Sequence, residues 1–141
     1  MTHYLDTSVL VAALTVEKKT MAAQAWIAEQ DAGSRAISDW VIAEFSSALS
    51  IKLRIGEITP DRPTESLAAF TRYAAENLVV IPIAKAHFQT AARFSDQYSL
   101  GLRASDALHL AICSDQGATL CTLDRRLGQA GAKLGLKTHL L

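Results

Sequence analysis

The stretch His3-Tyr4-Leu5-Asp6-Thr7-Ser8-Val9-Leu10-Val11-Ala12-Ala13-Leu14 decides how this chain is read. Three residues suited to a short strand run into one acid, two small hydroxyls and an apolar run. A strand that feeds directly into a helix is the first half of a crossover unit, the connection that parallel strands require. In open parallel sheets, sites form beyond the carboxyl ends of the strands. Asp6 stands at such an end. Taken by itself, it is better read as the N-cap of the helix that follows, accepting a hydrogen bond from a free backbone N–H.

Working outward, the same alternation recurs. Further strands are expected at Arg35 to Ser38, Leu78 to Ile83, Thr119 to Thr122 and Lys137 to Leu140. Helical patterns cover Ser8–Leu14, Thr20–Ala32, Asp39–Arg54, Pro63–Asn77, Lys85–Tyr98, Ser105–Asp115 and Arg125–Leu134. Gly33, Gly56, Gly117 and Gly135 each follow a helical run, where a glycine stops a helix at little cost. The stretch from Gly56 to Pro63 reads as a helix-to-helix turn, not a domain linker. The expectation is a single α/β domain over residues 1–141: a three-layer α/β/α sandwich around a mainly parallel sheet of about five strands.

Composition narrows the class. The chain has 141 residues, half of them hydrophobic and a fifth charged, which suits one compact domain. Fourteen basic residues balance fourteen acidic ones, so any nucleic-acid contact must come from a local basic rim. Neutrality also favours self-association. Cys113 and Cys121 match no zinc spacing and are expected as reduced, buried thiols. No basic segment followed by a long apolar run opens the chain, and the apolar run near it, Val9 to Leu14, is far too short to span a membrane. A cytoplasmic, soluble protein is expected.

Four acids reach one rim under this topology. Asp6 follows the first strand and Asp124 the fourth. Glu44 lies in the second turn of the helix after the second strand, at the margin of an apolar arc formed by Val41, Ile42, Phe45, Ala48 and Leu49. Asp106 opens the helix that runs antiparallel into the fourth strand. Each has a bland reading: Asp6 and Asp124 as caps, Asp106 as a first-turn acid favoured by the helix dipole, Glu44 as a solvated edge residue. Together they form an oxygen-only set suited to Mg²⁺ or Mn²⁺ rather than zinc. Such an ion orients a phosphodiester and activates water. Crowded carboxylates without a cation repel, so at least one pKa should be raised. Thr7, Ser8 and Thr122 offer hydroxyls beside the cluster, and Arg103, Arg125 and Arg126 offer a local rim for backbone phosphates. His109, one turn after Asp106, reads as structural rather than as a site residue. Trp26 and Trp40 read as core or dimer-interface residues.

The ordered set Tyr4-Leu5-Asp6-Thr7-Ser8, Val41-Ile42-Ala43-Glu44-Phe45, Ser105-Asp106-Ala107-Leu108-His109 and Thr122-Leu123-Asp124-Arg125-Arg126 resembles the PIN domain, in its branch of VapC toxins. No one of these motifs is specific; their order and spacing along the whole chain are. The resemblance implies a Mg²⁺- or Mn²⁺-dependent endoribonuclease with Asp6, Glu44, Asp106 and Asp124 as metal-holding catalytic acids. It further implies an RNA substrate, a homodimer, and inhibition by a small DNA-binding antitoxin. A different class remains beside it: a cation-stabilised binding module that acts on protein or RNA partners without catalysis. A receiver-like phosphoacceptor domain is disfavoured, because no second Asp follows Asp6 closely.

Overall fold

The computed structural model describes all residues, 1–141. Five strands, β1 (His3–Leu5), β2 (Arg35–Ser38), β3 (Val79–Ile81), β4 (Thr119–Thr122) and β5 (Thr138–Leu140), form one sheet in the order β3-β2-β1-β4-β5. Every pairing is parallel. Seven helices cover it: α1 (Thr7–Leu14), α2 (Thr20–Glu29), α3 (Asp39–Arg54), α4 (Arg62–Asn77), α5 (Lys85–Asp96), α6 (Ala104–Gln116) and α7 (Arg125–Lys133). This is the expected three-layer α/β/α sandwich, with the strand order now defined.

That order places the functional question. The chain builds β1, β2 and β3 outward in one direction, then returns to the other side of β1 to lay down β4 and β5. The reversal falls between β1 and β4, and such a switch point opens a crevice at the carboxyl ends of the two strands. Register is tight there: Leu5 pairs with Cys121, and the Asp6 amide donates to the Cys121 carbonyl at 3.1 Å. Asp6 and Thr122 are therefore delivered side by side.

The inner strands are fully buried, with Tyr4, Leu5, Ala36, Ile37, Leu120 and Cys121 in a core shared with Val9, Leu10, Phe45, Leu110 and Ile112. Gly131 allows α7 to approach the sheet: a Cβ there would lie 2.7 Å from the Thr138 methyl and 3.0 Å from Leu110. Gly117 ends α6 in the left-handed region at φ 60°, where a side chain is strained.

Several boundaries differ from the sequence expectation. β3 stops at Ile81 because Pro82 has no N–H for the ladder, and its Leu78 already caps α4. It is an edge strand, and Val79 and Val80 stay exposed. α2 ends at Glu29, so Gly33 lies in the following turn rather than at the helix stop. α5 ends at Asp96, and Tyr98–Leu100 forms a separate 3-10 turn closed by Gly101. Ile42, expected on the buried arc of α3, is exposed; the buried stripe is Val41, Phe45 and Leu49. Cys113 and Cys121 are buried free thiols as expected, both pushed upward in pKa chiefly by that burial. No helix is long and apolar enough to cross a membrane.

Candidate active site

Asp6 is a helix cap whose carboxylate also takes two side-chain hydrogen bonds. Its carboxylate accepts from the Val9 amide at 3.4 Å, as an N-cap does. It also accepts from Ser8 Oγ at Oδ1 and from Thr122 Oγ1 at Oδ2, at 2.6 Å for the latter. The side chain is only 4% exposed. Burial pushes its pKa up, opposed by the Ser8 and Thr122 hydroxyls and by the His109 ring. The two hydroxyls are thus the dedicated donors that make a charge tolerable at this depth. Ser8 has a second bond as well, since its Oγ accepts from the Leu123 amide at 3.0 Å and ties α1 to the end of β4. Thr122 is fully buried, and its Oγ1 accepts from the Asp124 amide at 2.9 Å.

Asp124 caps α7 through Oδ1 alone, which accepts from the Arg126 and Leu127 amides at 2.9 and 3.2 Å. Its second oxygen takes neither bond. Glu44 is half-buried and also uses one oxygen for the protein: Thr7 Oγ1 donates to its Oε1 at 2.7 Å, and His109 Nε2 bonds to the same atom. Burial alone would raise the Glu44 pKa, but the His109 bond and charge, with the Thr7 hydroxyl, hold it below the usual carboxylate value.

Asp106 stands in the first turn of α6. Its pKa is raised by burial first, then by the charges of Asp124, Glu44 and Asp6, with His109 pulling the other way. Asp106 thus feels the charge of the other three acids, as a carboxylate near like charges does. Among Asp, Glu, His and Cys side chains, no three are disposed as a ready-made metal cage. The fit to a hard cation rests instead on the donor set: an Asp106 shifted by burial and charge with no hydrogen bond among the causes, and the uncommitted oxygens of Glu44 and Asp124.

A cleft of about 420 Å³ opens beside Asp106 and Asp124, lined also by Gly101, Arg103, Ser105 and Arg126. It brings two of the three expected arginines to the acids. Arg125 is not part of this lining. All three arginine side chains are exposed.

Sequence reasoning undervalued three residues. His109, Tyr4 and Ser38 are buried polar groups directly behind the acids: the Tyr4 hydroxyl bonds to His109 Nδ1 and to Ser38 Oγ, each at 2.7 Å. Strand alternation carried a signal, since Tyr4 and Asp6 share a side-chain parity along the same segment. So did helical spacing, since His109 lies one turn from Asp106.

The sequence matches the PIN-domain family over residues 3–133. The chain belongs to that family, whose members are nucleases. No curated protein matches it by sequence. Solved structures share its fold at low identity. VapC20 of Mycobacterium tuberculosis, described as a toxin that cleaves the sarcin–ricin loop, superposes with TM-score 0.76 at 16% identity, covering 92% of this chain and 95% of that one. FitAcB from Neisseria gonorrhoeae gives 0.70 at 16%, covering 96% and 95%. VapBC2 from Rickettsia felis, bound to a DNA fragment from its promoter, gives 0.70 at 16%, covering 100% and 99%. The fold is that of the VapC toxins.

Proposed function

We propose that this protein is a Mg²⁺- or Mn²⁺-dependent endoribonuclease, the toxin of a type II toxin–antitoxin pair. The observation that supports the reading is Asp106 feeling the charges of Asp124, Glu44 and Asp6 near the β1/β4 switch point, with Glu44 and Asp124 each engaging the protein through one oxygen only. Glu44, Asp106, Asp124 and Asp6 would hold the ion. Bound there, it would supply charge to polarise a phosphodiester and lower the pKa of an attacking water.

The remaining residues serve orientation. Ser8 and Thr122 donate to the two oxygens of Asp6 and favour its charged form against burial, and Thr7 fixes one oxygen of Glu44. Arg103 and Arg126, lining the cleft beside Asp106 and Asp124, suit the phosphates that flank the scissile bond. Arg125 would reach the backbone farther from the cleft. RNA is favoured as substrate by the VapC20 description, and a small antitoxin partner by the VapBC2 complex. A homodimer in the cytoplasm completes the proposal. It is supported by the zero net charge and by an exposed apolar groove lined by Trp40, Phe88, Ala91 and Leu108.

The test is cleavage of a structured RNA pool with and without Mg²⁺ or Mn²⁺, with Asp6→Asn as the control. Metal-dependent cleavage lost in Asp6→Asn is the expected result. Equal cleavage by the variant would refute the assignment, and growth inhibition that persists in Asp106→Asn would favour binding without catalysis.

A further inference from the structure

Behind Glu44 lies a buried row of polar groups that catalysis by the four acids does not by itself require. His109 is 2% exposed, and Tyr4 and Ser38 are fully buried. Burying three such side chains costs free energy unless each finds partners, and here each does. An ionised carboxylate only accepts, so the hydrogen between His109 and Glu44 sits on His109 Nε2. Its other ring nitrogen meets the Tyr4 hydroxyl at 2.7 Å. With a single ring hydrogen, on Nε2, Nδ1 accepts from the Tyr4 hydroxyl, whose oxygen in turn accepts from Ser38 Oγ. Both bonds that Glu44 receives, from His109 and from Thr7, end on Oε1.

We infer that His109 is a positioning residue: held by Tyr4 and Ser38, it clamps Glu44 through Oε1 so that Oε2 stays free for a divalent cation. This rests on the reading of Glu44 as a metal-holding acid. Carboxylates that bind metals through one oxygen are commonly oriented by hydrogen bonds of this kind, and losing the outer partner typically costs about 10–100-fold in affinity. A merely structural histidine in the same place would affect folding stability alone.

The two amide variants separate the roles. His109→Gln places an amide N–H near the former Nε2 and keeps a donor for Glu44. His109→Asn places its polar group near the former Nδ1, keeps a partner for Tyr4 and offers Glu44 nothing. The measurement is Mn²⁺ affinity of the full chain, read by electron paramagnetic resonance of the unbound ion, beside a metal-free melting curve. His109→Asn is expected to bind Mn²⁺ about 10–100-fold more weakly, and His109→Gln to remain within about threefold of the parent. Tyr4→Phe, which keeps the ring in the core, is expected to fall between them and serves if His109→Asn does not fold.

Parent-like Mn²⁺ affinity in His109→Asn, or in Tyr4→Phe where only that variant folds, would overturn the inference while leaving Glu44 as a ligand. A parent chain that binds no Mn²⁺, or a Glu44→Gln variant that binds as tightly, would overturn the metal-site reading itself and the inference with it.

Discussion

Helix α6 contributes one member to each of two histidine–carboxylate pairs. Toward β1, its His109 meets Glu44; toward α5, its Asp115 meets His87 at 2.9 Å. The chemistry of the two pairs is the same, and both histidines are buried. In both, Nδ1 is occupied: by the Tyr4 hydroxyl in one case, by the Ala84 amide at 2.9 Å in the other. The difference is the carboxylate. Glu44 is three-quarters covered and faces other acids, whereas Asp115 is 57% exposed and its second neighbour is Gln116. Asp115 is largely open to water, whereas Glu44 is largely shielded from it. The outer pair pins the start of α5 to α6, and the inner pair orients an acid. Identical partners acquire different roles from depth alone.

The largest effect that would break this contrast concerns activity. Glu44→Gln and Asp106→Asn are expected to lower RNA cleavage by about 10²–10³-fold, the size of losing one preorganised charged group. Asp115→Asn, a surface change, is expected to stay within about twofold. If initial-rate assays show Asp115→Asn as damaging as Glu44→Gln, depth does not separate the pairs.

Stability should run the other way. His87→Ala removes the cap of α5 and its link to α6, and is expected to cost about 1–2 kcal/mol, a melting drop of roughly 3–6 °C, with Mn²⁺ affinity unchanged. Weakened Mn²⁺ binding in that variant would make the outer pair part of the site.

A smaller effect tests crowding. Asp106 has a raised pKa, so the folded state binds its proton more tightly than the unfolded state does. The penalty is complete above the folded pKa and is relieved as pH falls through it toward the unfolded value. Metal-free Asp106→Asn is therefore expected to melt about 2–4 °C higher than the parent at pH 7, with the gap closing as pH is lowered toward about 4. A lower melting point for the variant would count against mutual repulsion.

The smallest effect concerns Asp115, whose pKa is lowered by the His87 bond first and by Gln116 second. Its stabilisation is present above the unfolded value and is lost as pH falls through the folded one. Asp115→Asn should thus melt slightly below the parent near neutrality and equal to it in strong acid. A difference that persists unchanged into acid would exclude the Asp115 charge as its cause.

The sequence carried the architecture well, because the first four strands are short and each is followed by a helical pattern. It also put Asp6 and Asp124 directly after their strands, Asp106 in the first turn of α6 and Glu44 in the second turn of α3, since that follows from chain direction. Strand order was not legible: the return of β4 to the side of β1 is a tertiary choice that no local pattern records. Nor was the second role of Asp6. Cap and site looked like alternatives, yet one carboxylate satisfies the Val9 amide and still accepts two hydroxyls. His109 was set aside as structural because a histidine within an apolar helix usually is; only the meeting of α3, α6 and β1 supplies Glu44 and Tyr4 as its partners. The exposure of Ile42 was missed because helical periodicity gives an arc but not its edge.

The central place of β1 has a further consequence, one of timing. Asp6 and the Thr122 hydroxyl that supports it stand 116 residues apart in the chain. During synthesis, Asp6 and Glu44 leave the ribosome well before Asp106, Thr122 and Asp124. Until then the middle strand has only one neighbour, and its acid has neither its threonine nor its opposing carboxylates. Domains complete their long-range pairings late, when the last strand arrives. A chain that has not yet reached β4 therefore lacks the arrangement from which the proposed nuclease activity would arise.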